Sequence, residues 1–379
     1  MKRVLIGLAA VVLLAVAWTS ASAAEPYKIG AIFSITGPNA PLGIPERDTV
    51  EMLVEKINKA GGINGHPLEA VIMDDAGDET KANLAAKKLI ESDKVCAIVG
   101  PSLTGTSLAV APVCQSASIP LISCAAGVGI VVPPRPYVFK TAQSDVHAVA
   151  KVLDYLRSKE MTKIATLSVS NAFGKSGKDQ LRKQAPRQGI RIVASEEFGD
   201  KDTNMTAQLT RIRSNKPQAI VCWGTNPGPA IVARDMKSLR MKEPLIQSHG
   251  VANKKFIELA GDAAEGVIFP AGKLIVVKEI PRNEVQRKVL LKYASDFKKK
   301  FGRDPDTFGG HAWDAAMLVV SAMRKVGNDP AKIRNEVEKT KNFIGISGVF
   351  SFTPTEHNGL SKDAFAMVEI RGGTWRMLK

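Results

Sequence analysis

Short apolar runs alternate with amphipathic stretches along almost the whole of the chain. Residues 27–33 read as a strand, and a Gly-Pro-rich loop over 36–43 leads into a helix through residue 60. A turn over 61–65 precedes a strand over 68–73, and Asp78 is placed to cap a helix over 79–91. Residues 95–99 form an unbroken apolar run bounded by Gly100 and Pro101, as in a parallel strand buried on both faces. A helix through residue 117 follows, then a strand near Pro120 that ends in small residues, and a Pro-rich break over 133–136. After residues 137–141 the pattern restarts with helix 146–157, strand 164–169, helix 177–188 and strand 190–194. Helix 205–214, strand 219–223, helix 229–239 and strands 245–248 and 266–270 complete this series. Helices over 287–301, 307–326 and 330–340 come next, and a β-like tail (348–352, 364–370, 374–378) ends the chain. Two β/α series in tandem predict an α/β chain of two doubly wound, Rossmann-like lobes. No low-complexity linker separates them, so several short crossovers are expected.

The first 23 residues change the picture of location. Lys2 and Arg3, the apolar stretch 4–17 and Ala21-Ser22-Ala23 have the layout of a cleaved signal peptide. The apolar stretch is shorter than the roughly 20 residues that span a bilayer, and no Cys stands near the cleavage site to carry a lipid. The expectation is a periplasmic protein beginning near Ala24. The formal charge is +15, or +13 once Lys2 and Arg3 leave, with basic residues scattered among acids. Basic patches interleaved with aromatic residues are absent, which argues against nucleic acid as a partner. Cys96, Cys114, Cys124 and Cys222 sit within apolar elements and read as buried thiols rather than disulfides.

Chemistry concentrates after the strand over 95–99. Ser102, Thr104, Thr106 and Ser107 place hydroxyls and unpaired backbone N–H groups at a helix start, where a carboxylate is favoured. Such a loop lies at the carboxyl end of a parallel strand, where open α/β sheets bind ligands. Capping the helix is the commoner role of Ser and Thr at such a position, so the segment alone favours a plain cap at Thr104 or Thr106, and the rest of the chain shifts that balance toward a ligand. Catalytic signatures are missing: no phosphate loop, no nucleophile elbow and no completed G-x-G-x-x-G. Histidines stand singly at 66, 147, 249, 311 and 357, without the spacing of a helical zinc site. No catalytic residue, metal or cofactor is expected.

The segments FSITGPNAPLG, NKAGGINGHPLEAVIMDD, VGPSLTGTSLAVAP, PLISCAAG and FKTAQSD, in this order, resemble the type I solute-binding proteins of ABC importers. The leucine/isoleucine/valine-binding branch is the nearest, with NAFG, SHGVAN, AAEGVIFPAG and FSFTPTEHNG fitting the same group. The resemblance covers essentially the whole chain after residue 23. It implies the type I periplasmic binding protein fold, two lobes joined by three crossover strands that close on a ligand by a hinge. Residues 24–143 with 273–360 would form lobe 1, and residues 144–272 with 361–379 lobe 2. The implied partners are a small-molecule ligand and the permease subunits of an ABC importer, with the protein itself a monomer.

Carried over position by position, Thr104 would hold a ligand carboxylate beside Ser102 and the Gly105 N–H. Ala125 and Ala126 match the family's small-residue loop, but Gly127 stands where a Thr is usual. His249 stands where the Glu of a G-x-E-G pattern would bind an ammonium group. Phe173 and Asn226 fall in the far wall, and Leu42 replaces a common aromatic. An α-ammonium without its carboxylate partner is costly to bury. The resemblance with these departures therefore favours an aromatic or other non-amino carboxylate over an amino acid. Asp145 or Glu265 would have to replace the missing acid if an amino acid is bound. A ligand-sensing ectodomain and a secreted hydrolase are alternatives from other classes.

Overall fold

The structure, a computed structural model, describes residues 24–378. The signal-peptide reading lies outside the described residues. Five parallel strands form the first sheet: β1 (Tyr27–Phe33), β2 (Leu68–Asp74), β3 (Ile98–Val99), β4 (Leu121–Ser123) and β5 (Val138–Lys140), in the order β2-β1-β3-β4-β5. Helices α1 (Ala40–Lys59), α2 (Glu79–Glu91) and α3 (Thr104–Ala117) make the crossovers. The ladder of β3 is shorter than its apolar run. The flanking residues still bond β1, through Cys96 N–H to the Lys28 carbonyl at 2.9 Å and Gly30 N–H to the Ala97 carbonyl at 2.8 Å. Asp78 caps α2 as expected, accepting from the Lys81 N–H at 2.8 Å.

The second sheet contains β6 (Lys163–Val169), β7 (Arg191–Phe198), β8 (Ala219–Trp223), β9 (Leu245–Gln247) and β10 (Ile268–Gly272), all parallel. Its helices are α4 (Asp145–Ser158), α5 (Ala172–Gln184), α6 (Thr206–Ser214), α7 (Gly228–Ser238) and α8 (Lys254–Ala260). Every residue of β8 is buried, because it lies between β6 and β9 with helices on both faces. Helix α5 begins five residues before its sequence-based start. The Asn171 side chain accepts from the Phe173 and Gly174 N–H groups, so the NAFG segment is the helix N-terminus itself.

The chain then returns toward the first sheet through α9 (Arg287–Phe301), α10 (Thr307–Val326), α11 (Pro330–Glu338) and a small hairpin, β11 (Phe343–Ile344) and β12 (Val349–Phe350). Helix α10 packs along α1 and shares its core with β1. Helix α9 bridges the halves: Leu290, Tyr293 and Phe297 join the core under the second sheet, while the Tyr293 hydroxyl meets Thr49 of α1 at 2.8 Å. Finally β13 (Phe365–Arg371) and β14 (Thr374–Met377) add antiparallel to the edge at β10, giving the order β14-β13-β10-β9-β8-β6-β7. The chain thus passes between the two sheets three times, and the result is an α/β fold of two lobes. Among the described residues no helix is long and apolar enough to cross a membrane, and all four cysteines are buried and free.

Candidate functional site

The carboxyl ends of the parallel strands in both sheets face one cavity of about 140 Å³. That is small beside the roughly 300–1,000 Å³ of pockets for drug-sized ligands, and it suits a compact metabolite. The first lobe contributes Asn39 at the cap of α1 and Leu42 in its first turn, Ser102 to Thr106 after β3, and Cys124 to Ala126 after β4. The second contributes Asn171 to Phe173, Asp200, Thr225, His249 and Gly250, and α10 adds Phe308 and His311. The lobes meet beside the cavity, where the Val128 N–H donates to the Ser176 hydroxyl at 3.3 Å.

The α3 N-terminus opens onto this cavity without a side-chain cap, because its capping position is Leu103. The first-turn N–H groups of Thr104, Gly105 and Thr106 take no acceptor among the described residues, so partial positive charge faces the cavity. The capping alternative therefore fails for both threonines. The Thr106 hydroxyl turns back to the Leu103 carbonyl at 3.2 Å, whereas the Thr104 hydroxyl accepts from the Gly127 N–H at 3.2 Å. Ser102 lines the cavity but its hydroxyl is engaged inward. It accepts from the Ser34 N–H at 3.0 Å and donates to Glu46. Burial pushes the Glu46 carboxyl well above the usual carboxylate range, with the Ser102 bond opposing it.

Of the ten residues singled out from the sequence, Leu42, Ser102, Thr104, Gly105, Ala125, Ala126, Phe173 and His249 line the cavity. Two do not. Gly127 sits behind Thr104: a Cβ there would lie 2.3 Å from Thr104 Cγ2, so the close approach itself excludes a side chain. Asn226 turns away toward Asn253, which accepts its amide at 3.4 Å. Neither acid named as a substitute lines the cavity. Glu265 is on the far side of the second lobe, accepting from the Gly372 N–H at 2.8 Å. Asp145 is wholly buried behind His249, its Oδ1 3.9 Å from His249 Nε2.

Lys140 supplies a cation that the sequence reading missed. Its ammonium group is wholly buried and donates to the carbonyls of Ala126 at 3.1 Å and Ala142 at 2.9 Å. Burial holds Lys140 below its ordinary range and Asp145 above its own, each resisted by the charge of the other. The two cavity histidines are neutral: burial lowers both His249 and His311 to about 3, and the Lys140 charge reinforces the shift. The charged side chains that remain at the cavity are Glu79 and Asp200, both exposed. Glu79 leans over the first turn of α3, so close that a Cβ on Gly105 would meet its Oε1 at 2.3 Å. Phe308 and His311 also escaped the sequence reading, because they reach the cavity from a helix two hundred residues beyond the Thr104 loop. No local motif marks them.

The family described as "Periplasmic binding protein" matches residues 26–374. A leucine-, isoleucine-, valine-, threonine- and alanine-binding protein of Pseudomonas aeruginosa is 28% identical over 317 residues, 82% of each chain. An extracellular ligand-binding receptor from Rhodopseudomonas palustris HaA2 superposes with a TM-score of 0.88 at 29% identity, covering 93% of this chain and all of its own. A branched-chain amino acid transporter substrate binding protein from Streptococcus pneumoniae, solved in complex with isoleucine, gives 0.82 at 25% identity, covering 94% of this chain and all of its own.

Proposed function

Because this chain belongs to the periplasmic binding protein family, as a branched-chain amino acid-type ABC transporter substrate-binding protein and not an enzyme, we propose that it traps a small non-amino carboxylate, an aromatic acid foremost, and delivers it to a membrane permease. The family implies a periplasmic location, a small-molecule ligand and ABC permease partners. In this reading the Thr104 hydroxyl and the N–H groups of Gly105 and Thr106 hold the carboxylate, and the body of the ligand lies against Leu42, Phe173 and Phe308.

The observation that carries the non-amino reading is the state of the ammonium side. The Ala126 carbonyl is taken by the Lys140 ammonium, residue 127 has no hydroxyl, and residue 249 is a neutral imidazole. An ammonium group placed there would sit beside a buried cation, and the nearby carboxylate, Asp145, lies behind His249 and already faces Lys140. A second reading, an amino acid, has its own support: relatives carry names of amino-acid binders, and Glu79 and Asp200 line the cavity. Both acids are exposed, so the ion pair they offer is weak.

Calorimetry on the purified protein separates the two. Benzoate and cinnamate are expected to bind with leucine and valine at least tenfold weaker. Submicromolar leucine binding with no response to either aromatic acid would overturn the proposal in favour of the amino-acid reading.

A further inference from the structure

At the amino ends of the strands of the second sheet, on the side of the lobe away from the cavity, exposed cations gather without partners. Lys163 opens β6 and Arg191 opens β7, and the two are registered partners in the parallel ladder. On the other side of Lys163, the Gln218 side chain accepts from the Lys163 N–H at 2.8 Å, which brings Lys216 alongside. Arg182 lines the same shallow surface hollow as Arg191, and Arg187 lies in the helical turn that joins α5 to β7. All of these side chains are exposed, and the ion pairs of the region, Lys175–Asp179, Lys178–Glu197 and Arg211–Glu196, leave them out. Residues 180–195 and 211–218 hold no Asp or Glu, and the acid nearest Lys163 along the chain is Glu160.

A cation at the end of a helix can simply complement the helix dipole. Lys163 and Arg191 stand on strands, where that reason is absent, and side by side they repel. The first lobe shows the same position serving the fold alone. Its registered pair near the amino ends of β1 and β2 is Lys28 with Glu69, an ion pair at 3.9 Å, and Lys88 at the end of α2 meets Asp93 at 3.0 Å. The like pair of the second lobe slightly destabilises the free protein, and an anionic partner lying across it relieves that repulsion.

We propose that this amino-end pole of the second lobe is a docking surface for a membrane of anionic phospholipid. The exposed large apolar side chains lie elsewhere, at Leu84, Val132, Val285, Leu291 and Ile344, so the pole offers charge without an apolar anchor. Protein partners are gripped chiefly through aromatic and apolar anchors, whereas a layer of anionic headgroups needs only clustered Lys and Arg. The permease partners that the family implies sit in a membrane, and docking on its lipid holds the protein close to them. The cavity lies at the carboxyl ends of the strands, so docking at the opposite end leaves it free. The inference holds whichever ligand the cavity takes.

The test is co-sedimentation of the purified protein with vesicles of phosphatidylglycerol and phosphatidylethanolamine, and with vesicles of phosphatidylcholine alone, at low and high salt. Binding to the anionic vesicles only, lost at high salt, is expected. A variant carrying Lys163→Gln, Arg187→Gln, Arg191→Gln and Lys216→Gln should bind them at least about tenfold more weakly. Its thermal midpoint, at or above that of wild type, shows that the fold is intact. Lys81, Lys87, Lys278 and Lys299 are exposed cations elsewhere on the surface. Changing those four to Gln removes the same charge and should leave binding within about twofold of wild type. No binding to anionic vesicles, equal weakening in both variants, or undiminished binding by the first variant overturns the proposal. Retention of the wild type by immobilised polyglutamate but not by the vesicles assigns the surface to an acidic protein and overturns it as well.

Discussion

The Thr104 hydroxyl receives the Gly127 N–H and has no acceptor of its own among the described residues, so its proton is available to a ligand. Thr104→Val keeps the shape and removes both roles. A hydrogen bond to a charged group contributes about 1.5–3 kcal/mol and one between neutral groups about 1. Calorimetry should therefore show a carboxylate bound at least tenfold more weakly, while urea unfolding shows a loss of only ~1 kcal/mol. Unchanged affinity with lowered stability would assign the hydroxyl to the loop alone. His249 gives a pH prediction. Its ring titrates at about 3 when folded against an ordinary 6.5, so below pH 6.5 the unfolded chain gains a proton that the fold refuses. The stability this neutral ring contributes is complete above pH 6.5 and drains away toward pH 3. At about 1.4 kcal/mol per unit, several kcal/mol are at stake. Urea unfolding at pH 7.5 and 4.5 should show wild type losing more stability than His249→Phe; parallel losses would refute the shift. Thr104 was legible because it belongs to a local pattern, apolar run then Gly-Pro then hydroxyls. Lys140 was not, because nothing in the sequence around a buried lysine says which carbonyls it will meet.

At the scale of elements, the strands and helices follow from periodicity, and their ends follow from caps. Asp78 marks the start of α2 in the sequence and in the structure alike. The start of α5 was placed too late because Asn171 was not weighed as a cap, although its side chain holds two first-turn N–H groups. That start is tight. A Cβ on Gly174 would lie 1.7 Å from the Val169 carbonyl oxygen at the end of β6, a backbone atom that cannot swing aside. Gly174→Ala should therefore push α5 from β6 and destabilise the protein by about 1–3 kcal/mol or more, read by thermal unfolding. It should also weaken ligand binding, because Phe173 rides on the same turn. A variant as stable as wild type would show that this junction has slack. Gly127 teaches the complementary point. Its departure from the family pattern was visible in the sequence, but its cause, contact with Thr104, exists only in three dimensions.

For the molecule as a whole, two tandem β/α series were enough to indicate two lobes, and the ligand site lies where the strand ends of both face each other. The contribution of α10 to that site depends on the chain crossing back to the first lobe, a long-range event without a local signature. The account as a whole turns on what occupies the cavity and how it is oriented. A diffraction structure of the protein with benzoate or 4-hydroxybenzoate, whichever binds more tightly, reads this directly. The account predicts the carboxylate within hydrogen-bond distance of Thr104 Oγ1 and the Gly105 and Thr106 N–H groups, with the ring between Phe173 and Phe308. A carboxylate bound elsewhere, or an amino acid seated with its ammonium on Glu79 or Asp200, would contradict it.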